Sequence, residues 1–298
     1  MWLYESITEV DLKINKALHK AKRSIMKYNA PRSNQQVDNV MINAAGQHAI
    51  AADLHSEEIF LKTLIGEGIS GTMYSEESGV KHFGDPSVDD PLSIVCLLDP
   101  LDGSANYLKG IPFGCISIAY GAYLPDPVLK DLTTASVMSL YTDEEYFADR
   151  GYGSYKNGRL LQPAKSSQDY KDQMMQLSYY AYDSKSSSYY LDFHDNYSLR
   201  SLGSAAWELA LVAENRNDAF VDLRGVLKTH DFAGARLILE EIGGSLRFLN
   251  IDQEESNYLP LDNFRAGYSV VGALDPHLLD YLLEELDHHD IAPSVSHK

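Results

Sequence analysis

The sequence predicts a mixed α/β fold of the α+β class, and three observations support this prediction. Apolar residues recur at helical spacing in several stretches, short β-rich runs lie between them, and Gly, Pro and Asn separate the runs. The chain has 298 residues, enough for one large domain or for two fused halves with a continuous interior. Its composition, with 44% hydrophobic and 23% charged residues, is typical of a folded globular protein.

The first part of the chain is predicted to be helical. Apolar residues follow a helical period over residues 4–28 and again over 51–65, where Gly66 interrupts the pattern. Short β-rich runs come next. They cover residues 72–74, 94–98, 116–123, 135–139 and 145–149. An Asn-Gly pair at residues 157–158, between two further short runs, predicts a tight β-hairpin.

The organisation changes near residue 165, where we place a boundary between an N-terminal half (1–165) and a C-terminal half (166–298). Residues 165–200 are rich in Ser, Asp and Tyr, and they are predicted to hold a strand over 174–180 and a surface helix or lid. The Tyr-rich part is interpreted as a packed, partly exposed aromatic surface. The remaining predicted elements are helices at 204–214, 231–242 and 276–286, and strands at 219–223, 245–249 and 267–271.

The charge of the chain argues against polyanionic partners. With 25 Lys and Arg against 43 Asp and Glu, the formal net charge is −18, and it is spread along the sequence. Such a chain repels nucleic acid and anionic membranes, so we expect neither as a partner. An anionic substrate would need local positive charge, which bound divalent cations supply. The composition therefore predicts metal ions.

The two cysteines, Cys96 and Cys115, lie inside apolar runs and are predicted to be buried, reduced core residues. The first residues lack a basic flank followed by an apolar stretch. No apolar run approaches the roughly 18 residues that a membrane span needs. We therefore expect a cytoplasmic protein.

Two carboxylates follow directly after the buried run at 94–98. Asp99 and Asp102 belong to the segment Asp-Pro-Leu-Asp-Gly-Ser, in which Pro100 stiffens the turn and Gly103 permits close approach of a bound group. A helical turn that starts at Gly103 would direct free backbone N–H groups at an anion. Most such segments only form turns, so the motif needs further ligands before it predicts a site.

Further carboxylates stand at comparable places. Glu76 and Glu77 follow a short β-like run and precede a turn, and Asp231 begins a helix-like run of small and apolar residues. Taken alone, the acidic pair is typical of a solvated turn, and Asp231 is typical of a helix N-cap. These acids indicate a functional site only when they are considered together with the central motif and in their order along the chain.

The acidic pair, the Asp-Pro-Leu-Asp-Gly-Ser motif and the late Asp resemble the inositol monophosphatase and fructose-1,6-bisphosphatase superfamily. Residues 221–225, Val-Asp-Leu-Arg-Gly, are similar to archaeal enzymes that act on both inositol 1-phosphate and fructose 1,6-bisphosphate. The resemblance covers nearly the whole chain. Its other blocks are residues 46–57, 112–114, 151–159, 203–206 and 241–244. It implies the layered αβαβα sandwich of the sugar phosphatases, and a homodimer.

The resemblance implies a Mg²⁺-dependent, Li⁺-sensitive phosphomonoesterase in which a metal-activated water attacks in line, without a phosphoenzyme. Two or three Mg²⁺ ions are expected in each site, with Mn²⁺ as a substitute. The implied metal ligands are Glu76, Glu77, Asp99, the backbone carbonyl of Leu101, Asp102 and Asp231. Asp53 and Ser104 match the pair that orients the attacking water, with Glu76 assisting. Ser104 stands where Thr is common, and the hydroxyl group is retained.

The same resemblance implies contacts to a small phosphorylated sugar or cyclitol. They are Gly103, Ser104, Gly203, Ser204, Ala205, Asp222 and Arg224. Asp222 or Arg224 would contact substrate hydroxyls, depending on where a gap falls. Arg224 would also suit a second phosphate, although a plain surface Arg is the alternative. His230 stands where the family often has Trp, and it is expected to line the pocket rather than to bind metal.

Two other functions stay open. A 3′(2′),5′-bisphosphate nucleotidase of the same superfamily would share every metal ligand. A non-catalytic metal-binding or regulatory module would be expected to have lost at least one ligand, whereas all are present. A phosphatase with an aspartyl-phosphate intermediate is disfavoured because its Asp-x-Asp pattern does not match Asp99 to Asp102.

Overall fold

The structure is a computed structural model that describes residues 8–27, 41–42, 48–49, 51–163, 175–181 and 197–288. The helices are α1 (Glu9–Lys27), α2 (Ala51–Gly66), α3 (Ser104–Lys109), α4 (Ala205–Ala213), α5 (Thr229–Glu240) and α6 (Pro276–His288). The strands are β1 (Met41–Ile42), β2 (His48–Ala49), β3 (Ser70–Ser75), β4 (Gly79–Phe83), β5 (Ser93–Asp102), β6 (Cys115–Ala122), β7 (Thr134–Ser139), β8 (Glu145–Asp149), β9 (Gly153–Lys156), β10 (Arg159–Leu160), β11 (Met175–Tyr180), β12 (Tyr197–Arg200), β13 (Ala219–Leu227), β14 (Ser245–Phe248) and β15 (Tyr268–Ala273).

Two mixed sheets form the framework. The first has eight strands in the order β10-β9-β8-β7-β6-β5-β3-β4, and its β3 and β5 run parallel. The second has five strands in the order β12-β11-β13-β15-β14, and its β11 runs parallel to both neighbours. Strands β1 and β2 form a small antiparallel pair.

The elements stack in five layers. Helices α1 and α2 cover one face of the first sheet, where Leu18 shares a buried cluster with Ile94. Helices α4 and α5 lie between the sheets, and Leu209 belongs to a cluster with Val95 of the first sheet and Phe220 of the second. Helix α6 packs on the outer face of the second sheet. The predicted αβαβα sandwich is therefore confirmed.

The middle layer explains the composition of its helices. Seven of the nine residues of α4 are buried, because this helix has a sheet on each side. A helix that is apolar around its whole circumference is stable only when it is enclosed in this way. Strand β5 of the first sheet is likewise enclosed, and it is buried at all ten positions.

Most predicted elements are confirmed within a few residues, and four differences stand out. Strand β5 continues to Asp102 and β13 continues to Leu227, both beyond their predicted ends. Strands β4 and β12 were not predicted. The predicted boundary near residue 165 and the surface helix or lid fall in 164–174 and 182–196, outside the described residues, and stay predictions.

Other expectations concern the core and the surface. Cys96 and Cys115 are free and buried, as predicted. Of the Tyr-rich part, Tyr179 and Tyr197 are buried and Tyr180 is half-buried, and the other tyrosines between them lie outside the described residues. In the part of the chain that the structure describes, no helix is both long enough and apolar enough to span a membrane.

Candidate active site

The candidate site lies where the parallel strands β3 and β5 end. Ser75 is opposite Leu98 in this pair, and the Glu76 N–H donates a hydrogen bond to the Leu98 carbonyl oxygen at 3.3 Å. The residues that follow, Glu76 and Asp99, therefore lie side by side at the point where the pairing of β3 with β5 ends. The carboxyl ends of parallel strands are a common place for ligand sites in α/β folds.

A β-bulge places the two aspartates of the central motif. Asp99 lies opposite Ser117 of β6, and Asp102 lies opposite Cys115, so β5 has one residue more than its partner. Pro100 falls inside this irregularity, where a missing N–H costs the sheet no regular hydrogen bond. In a regular strand, residues three positions apart point to opposite faces of the sheet. The extra residue of the bulge allows Asp99 and Asp102 to face the same side.

Helix α4 holds Asp102 from the other half of the chain. The Asp102 carboxylate accepts hydrogen bonds from the Ser204 hydroxyl at 2.7 Å, the Ala206 N–H at 2.8 Å and the Ala205 N–H at 3.2 Å. The N–H groups belong to the first turn of the helix, where unpaired donors and the helix dipole favour a negative charge. Asp102 is thus fixed on the middle layer.

Helix α5 brings Asp231 to the same place. The Lys228 N–H donates to the Asp231 carboxylate at 2.6 Å, which caps the start of the helix. One turn later, Gly234 packs against β6 so tightly that a Cβ atom would lie 2.8 Å from the Ser117 Oγ and 3.0 Å from the Ile118 carbonyl oxygen. Because Ser117 is the partner of Asp99 in the sheet, this close approach carries Asp231 towards Asp99.

Helix α2 supplies the last predicted acid. Asp53 stands in its first turn and is 1% exposed. Three residues further on, the Ser56 hydroxyl donates to the Pro100 carbonyl oxygen at 3.5 Å, which joins this end of α2 to the bulge. The Ser104 hydroxyl donates to the Leu101 carbonyl oxygen at 3.0 Å, and that oxygen keeps a second lone pair.

The two predicted phosphate-binding segments are neighbours. Gly103 has a left-handed backbone, with φ 99°, and immediately precedes α3. A Cβ atom there would lie 3.0 Å from the Phe113 carbonyl oxygen and 3.4 Å from that of Gly203, so a side chain would be excluded. The Asn106 amide donates to the Leu202 carbonyl oxygen at 2.6 Å and fixes the two segments to each other.

The carboxylates raise one another's pKa. Burial and neighbouring acids raise the pKa of Glu76 and of Asp99 well above the usual values. Burial raises the pKa of Asp102 to about 7, although the Ser204 hydrogen bond opposes this shift, and burial raises that of Asp231 to about 6. A set of buried acids that disfavour one another's charge is typical of a functional site.

His230 lies between two of these acids. Its Nε2 is 3.6 Å from an Asp231 oxygen and 4.0 Å from a Glu76 oxygen. Burial, followed by the charge of Lys228, lowers the pKa of His230 to about 3. The imidazole is therefore neutral near pH 7 and adds no positive charge to the acidic cluster.

The chemistry of the donor set fits hard divalent cations. Glu76, Asp99, Asp102 and Asp231 offer carboxylate oxygens, the ligands that Mg²⁺ prefers. As oriented, no three acidic, His or Cys side chains among the described residues form a group that could hold an ion. Several oxygens point instead at protein donors, as Asp99 does towards the Leu101 N–H at 2.9 Å. The ligand roles of these residues therefore stay predictions.

The predicted substrate residues Asp222 and Arg224 are bound to each other. Asp222 is fully buried, and its carboxylate accepts Arg224 Nε at 3.0 Å and Nη2 at 2.5 Å. The Arg224 guanidinium also lies over the Tyr180 ring, 4.3 Å from its centre. Its charge lowers the pKa of Asp231, against the larger effect of burial.

Sequence reasoning missed two residues of this region, Glu208 and Tyr180. The Glu208 carboxylate accepts hydrogen bonds from the Tyr180 hydroxyl at 2.5 Å and from the Ser178 hydroxyl at 2.5 Å. A signal for Glu208 was present, because a lone acid in the apolar run of α4 must be buried and must find donors. The donors themselves come from β11, which is distant in sequence.

Comparison with known proteins gives consistent matches. A sequence profile of the inositol monophosphatase family matches residues 4–289. The fructose-1,6-bisphosphatase/inositol-1-monophosphatase of Methanothermobacter thermautotrophicus is 32% identical over 251 residues, which are 83% of this chain and 86% of the relative. The protein of the same name from Archaeoglobus fulgidus is 31% identical over 219 residues, 72% of this chain and 76% of the relative. The solved inositol monophosphatase of Thermotoga maritima superposes with a TM-score of 0.70 at 19% identity, covering 95% of this chain and 98% of that one.

Proposed function

The chain belongs to the inositol monophosphatase family, and we propose that it is a Mg²⁺-dependent phosphoric monoester hydrolase acting on inositol 1-phosphate, fructose 1,6-bisphosphate or both. One observation carries the proposal: four acids, which follow β3 or belong to β5 and α5, form a largely buried cluster. Burial raises the pKa of all four, and neighbouring acids raise it further. Such a cluster is unfavourable for folding by itself, and divalent cations would neutralise it.

The proposed roles of the residues are those that the family resemblance implies. Glu76, Asp99, Asp102, Asp231 and the Leu101 carbonyl would hold Mg²⁺, with Glu77 acting through water. When bound, the ions supply an activated water and stabilise the charge on the phosphoryl group and the leaving oxygen.

Asp53 and Ser104 are proposed to orient the attacking water and to accept its proton. Ser104 stands at the start of α3, beside the Leu101 carbonyl, and Asp53 adds its charge to the environment of Glu76. The backbone at Gly103 and Ser104 would hold the phosphate. The bulge in β5 and the close backbone contacts of Gly103 and Gly234 fix the positions of these residues, which would hold the attacking water and the phosphate in a fixed relation.

The substrate is proposed from the relatives and from Arg224. Both archaeal relatives are named for the two activities, and the charge of Arg224 acts on Asp231 of the cluster. Arg224→Met is expected to raise the KM for fructose 1,6-bisphosphate and to leave that for inositol 1-phosphate nearly unchanged. Arg216→Met is the matched control, because Arg216 pairs with Glu144 at the surface, with half its side chain exposed.

A phosphate-release panel tests the proposal. Inositol 1-phosphate, fructose 1,6-bisphosphate and adenosine 3′,5′-bisphosphate are each incubated with Mg²⁺, with EDTA, and with Mg²⁺ plus Li⁺. We expect Mg²⁺-dependent, Li⁺-suppressed release from one or both of the first two. Release from the nucleotide alone would establish the nucleotidase instead, and release from none would favour a non-catalytic module.

A homodimer is also proposed, and sedimentation equilibrium of the same samples tests it.

A further inference from the structure

Glu208 is a buried acid that organises the edge of the candidate site. It is 0% exposed, and its two carboxylate oxygens accept four hydrogen bonds. Two come from the Ser178 and Tyr180 hydroxyls, and two come from the Leu202 and Ser204 N–H groups at 3.2 and 3.4 Å. A buried carboxylate is tolerated when donors satisfy it in this way, and the donors are then held by it.

Tyr180 closes this network. Its hydroxyl donates to Glu208 and accepts the Gly203 N–H at 2.7 Å. The backbone of residues 202–204 is thereby tied to β11 and α4 at three successive N–H groups. Gly203 has φ 84°, a left-handed conformation that is costly for other residues, so the loop needs a glycine at this position.

The same loop holds a predicted metal ligand on its other side. The Ser204 hydroxyl and the two N–H groups that follow it hold the Asp102 carboxylate. A displacement of residues 202–204 would therefore displace the oxygens of Asp102. Partners of this kind typically change metal affinity by about 10-fold to 100-fold when they are removed.

The ring of Tyr180 has a second contact. The Arg224 guanidinium lies 4.3 Å from the ring centre, while Asp222 holds the same guanidinium from the side. The tyrosine thus contacts the proposed second-phosphate residue with its face and the Asp102 loop with its hydroxyl. Cation–π contacts of this kind contribute roughly 0.5–1 kcal/mol at partly exposed sites, which corresponds to a change of about 2-fold to 5-fold in binding.

We propose that Tyr180 is a positioning residue for Asp102, through its hydroxyl and the loop of residues 202–204, and a specificity-determining residue for substrates with a second phosphate, through its stacking on Arg224. This inference rests on the proposed function and deepens it. The two roles separate chemically, because Tyr180→Phe removes the hydroxyl and keeps the ring, whereas Tyr180→Leu removes both.

The hydroxyl role is tested by titrating Mg²⁺ alone into the protein by calorimetry. Tyr180→Phe is expected to raise the Kd for Mg²⁺ about 10-fold, and Glu208→Gln, which removes an acceptor, is expected to do the same. Tyr120→Phe is the matched control, because the Tyr120 hydroxyl donates to the buried Asp11 carboxylate at 2.6 Å on the α1 side of the first sheet. An Mg²⁺ affinity of Tyr180→Phe equal to that of the wild type and of Tyr120→Phe would overturn this role.

The stacking role is tested by steady-state kinetics. Relative to Tyr180→Phe, Tyr180→Leu is expected to have a KM for fructose 1,6-bisphosphate that is about 2-fold to 5-fold higher, with the same KM for inositol 1-phosphate. Equal KM ratios in the two variants would overturn the role of the ring. A wild type that releases phosphate from neither substrate would refute the proposed function and the Arg224 part together, and the Mg²⁺ titration would still decide the Asp102 part.

Discussion

Ser204 donates a 2.7 Å hydrogen bond to the Asp102 carboxylate, although the two residues lie 102 positions apart in the chain. The bond joins the last residue of β5, in the first sheet, to the residue before α4, in the middle layer. The geometry of the acidic cluster therefore depends on how these layers pack. Two predictions test this dependence directly.

Ser204→Ala is expected to weaken Mg²⁺ binding about 10-fold and to lower the rate of phosphate release by a similar factor, because Asp102 loses a partner that orients it. Isothermal titration with Mg²⁺ measures the first effect and a phosphate-release assay the second. Ser154→Ala is the control, since the Ser154 hydroxyl is also buried but donates to the Ile238 carbonyl oxygen at 2.5 Å, near the other end of α5. Equal losses in both variants would contradict a specific role of Ser204.

Gly234→Ala is expected to move α5 away from β6 and to reduce both stability and activity. The added Cβ would meet the Ser117 Oγ at 2.8 Å and the Ile118 carbonyl oxygen at 3.0 Å, and the backbone oxygen cannot move aside freely. Overpacking of this kind costs about 1–3 kcal/mol. Urea denaturation measures the loss of stability. A phosphate-release assay measures the loss of activity that we expect from the displacement of Asp231.

The control for that change is Gly66→Ala at the end of α2, where a Cβ atom would have no neighbour within 4 Å. Its stability and activity should stay close to those of the wild type. If Gly234→Ala is equally harmless, the close approach of α5 does not position Asp231.

The acids of the site could be predicted from the sequence because they stand at the ends of apolar runs. Glu76 follows β3, and Asp99 follows the apolar part of β5. How Asp99 and Asp102 come to face one site could not be predicted, since a separation of three residues indicates opposite faces of a strand. The bulge that corrects this depends on pairing with Ser117 and Cys115, which is a tertiary property.

In the fold, too, local patterns could be predicted from the sequence, whereas long-range contacts could not. Helix α4 could be recognised from its apolar run, but its donors to Asp102 and the surroundings of Glu208 depend on which layers enclose it. Strand β4 was not predicted, since Lys81 and His82 interrupt its apolar pattern. It forms as an edge strand, and the Lys81 ammonium pairs with the buried Glu57 carboxylate at 2.6 Å. That long-range pair leaves no trace in the local pattern.

Mg²⁺ is expected to stabilise the protein against urea, because it would neutralise acids that raise one another's pKa. At a concentration 100 times its Kd, a ligand that binds only the folded state adds about 2.7 kcal/mol to the free energy of unfolding. Asp102→Asn should lose most of this gain and all turnover, while remaining folded in the absence of Mg²⁺. Normal activity of this variant would contradict the role of Asp102 as a metal ligand.

The control for Asp102→Asn is Glu145→Gln, which removes a different buried acid. Glu145 is 4% exposed and lies in β8, where it binds Asn15 of α1 at 2.7 Å and Ser136 of β7 at 3.0 Å. It is not part of the acidic cluster, so the Mg²⁺ gain should be retained in this variant. If both variants lost the Mg²⁺-dependent increase in the free energy of unfolding, the increase would reflect a general effect of charge.

Glu145 also predicts how stability depends on pH. Burial raises its pKa to about 7, although the hydrogen bonds from Ser136 and Asn15 and the charge of Lys22 oppose the shift. The folded protein therefore binds a proton at pH values where the unfolded chain, with a Glu pKa of about 4.3, has released it. The stability from this proton is complete below the unfolded pKa and is lost as the pH rises through about 7.

Between pH 5 and pH 8, the free energy of unfolding of the wild type should thus fall relative to that of Glu145→Gln, by up to roughly 3 kcal/mol. Urea denaturation of both proteins in EDTA measures the difference. His19, whose pKa burial lowers, lies 4.0 Å from Glu145, and a group of this kind instead loses stability as the pH falls. The comparison is therefore repeated in a His19→Gln background, where the slope assigned to Glu145 should persist. If the stability of the proteins with and without Glu145→Gln changed with pH in the same way in this background, the proton would be bound at a group other than Glu145.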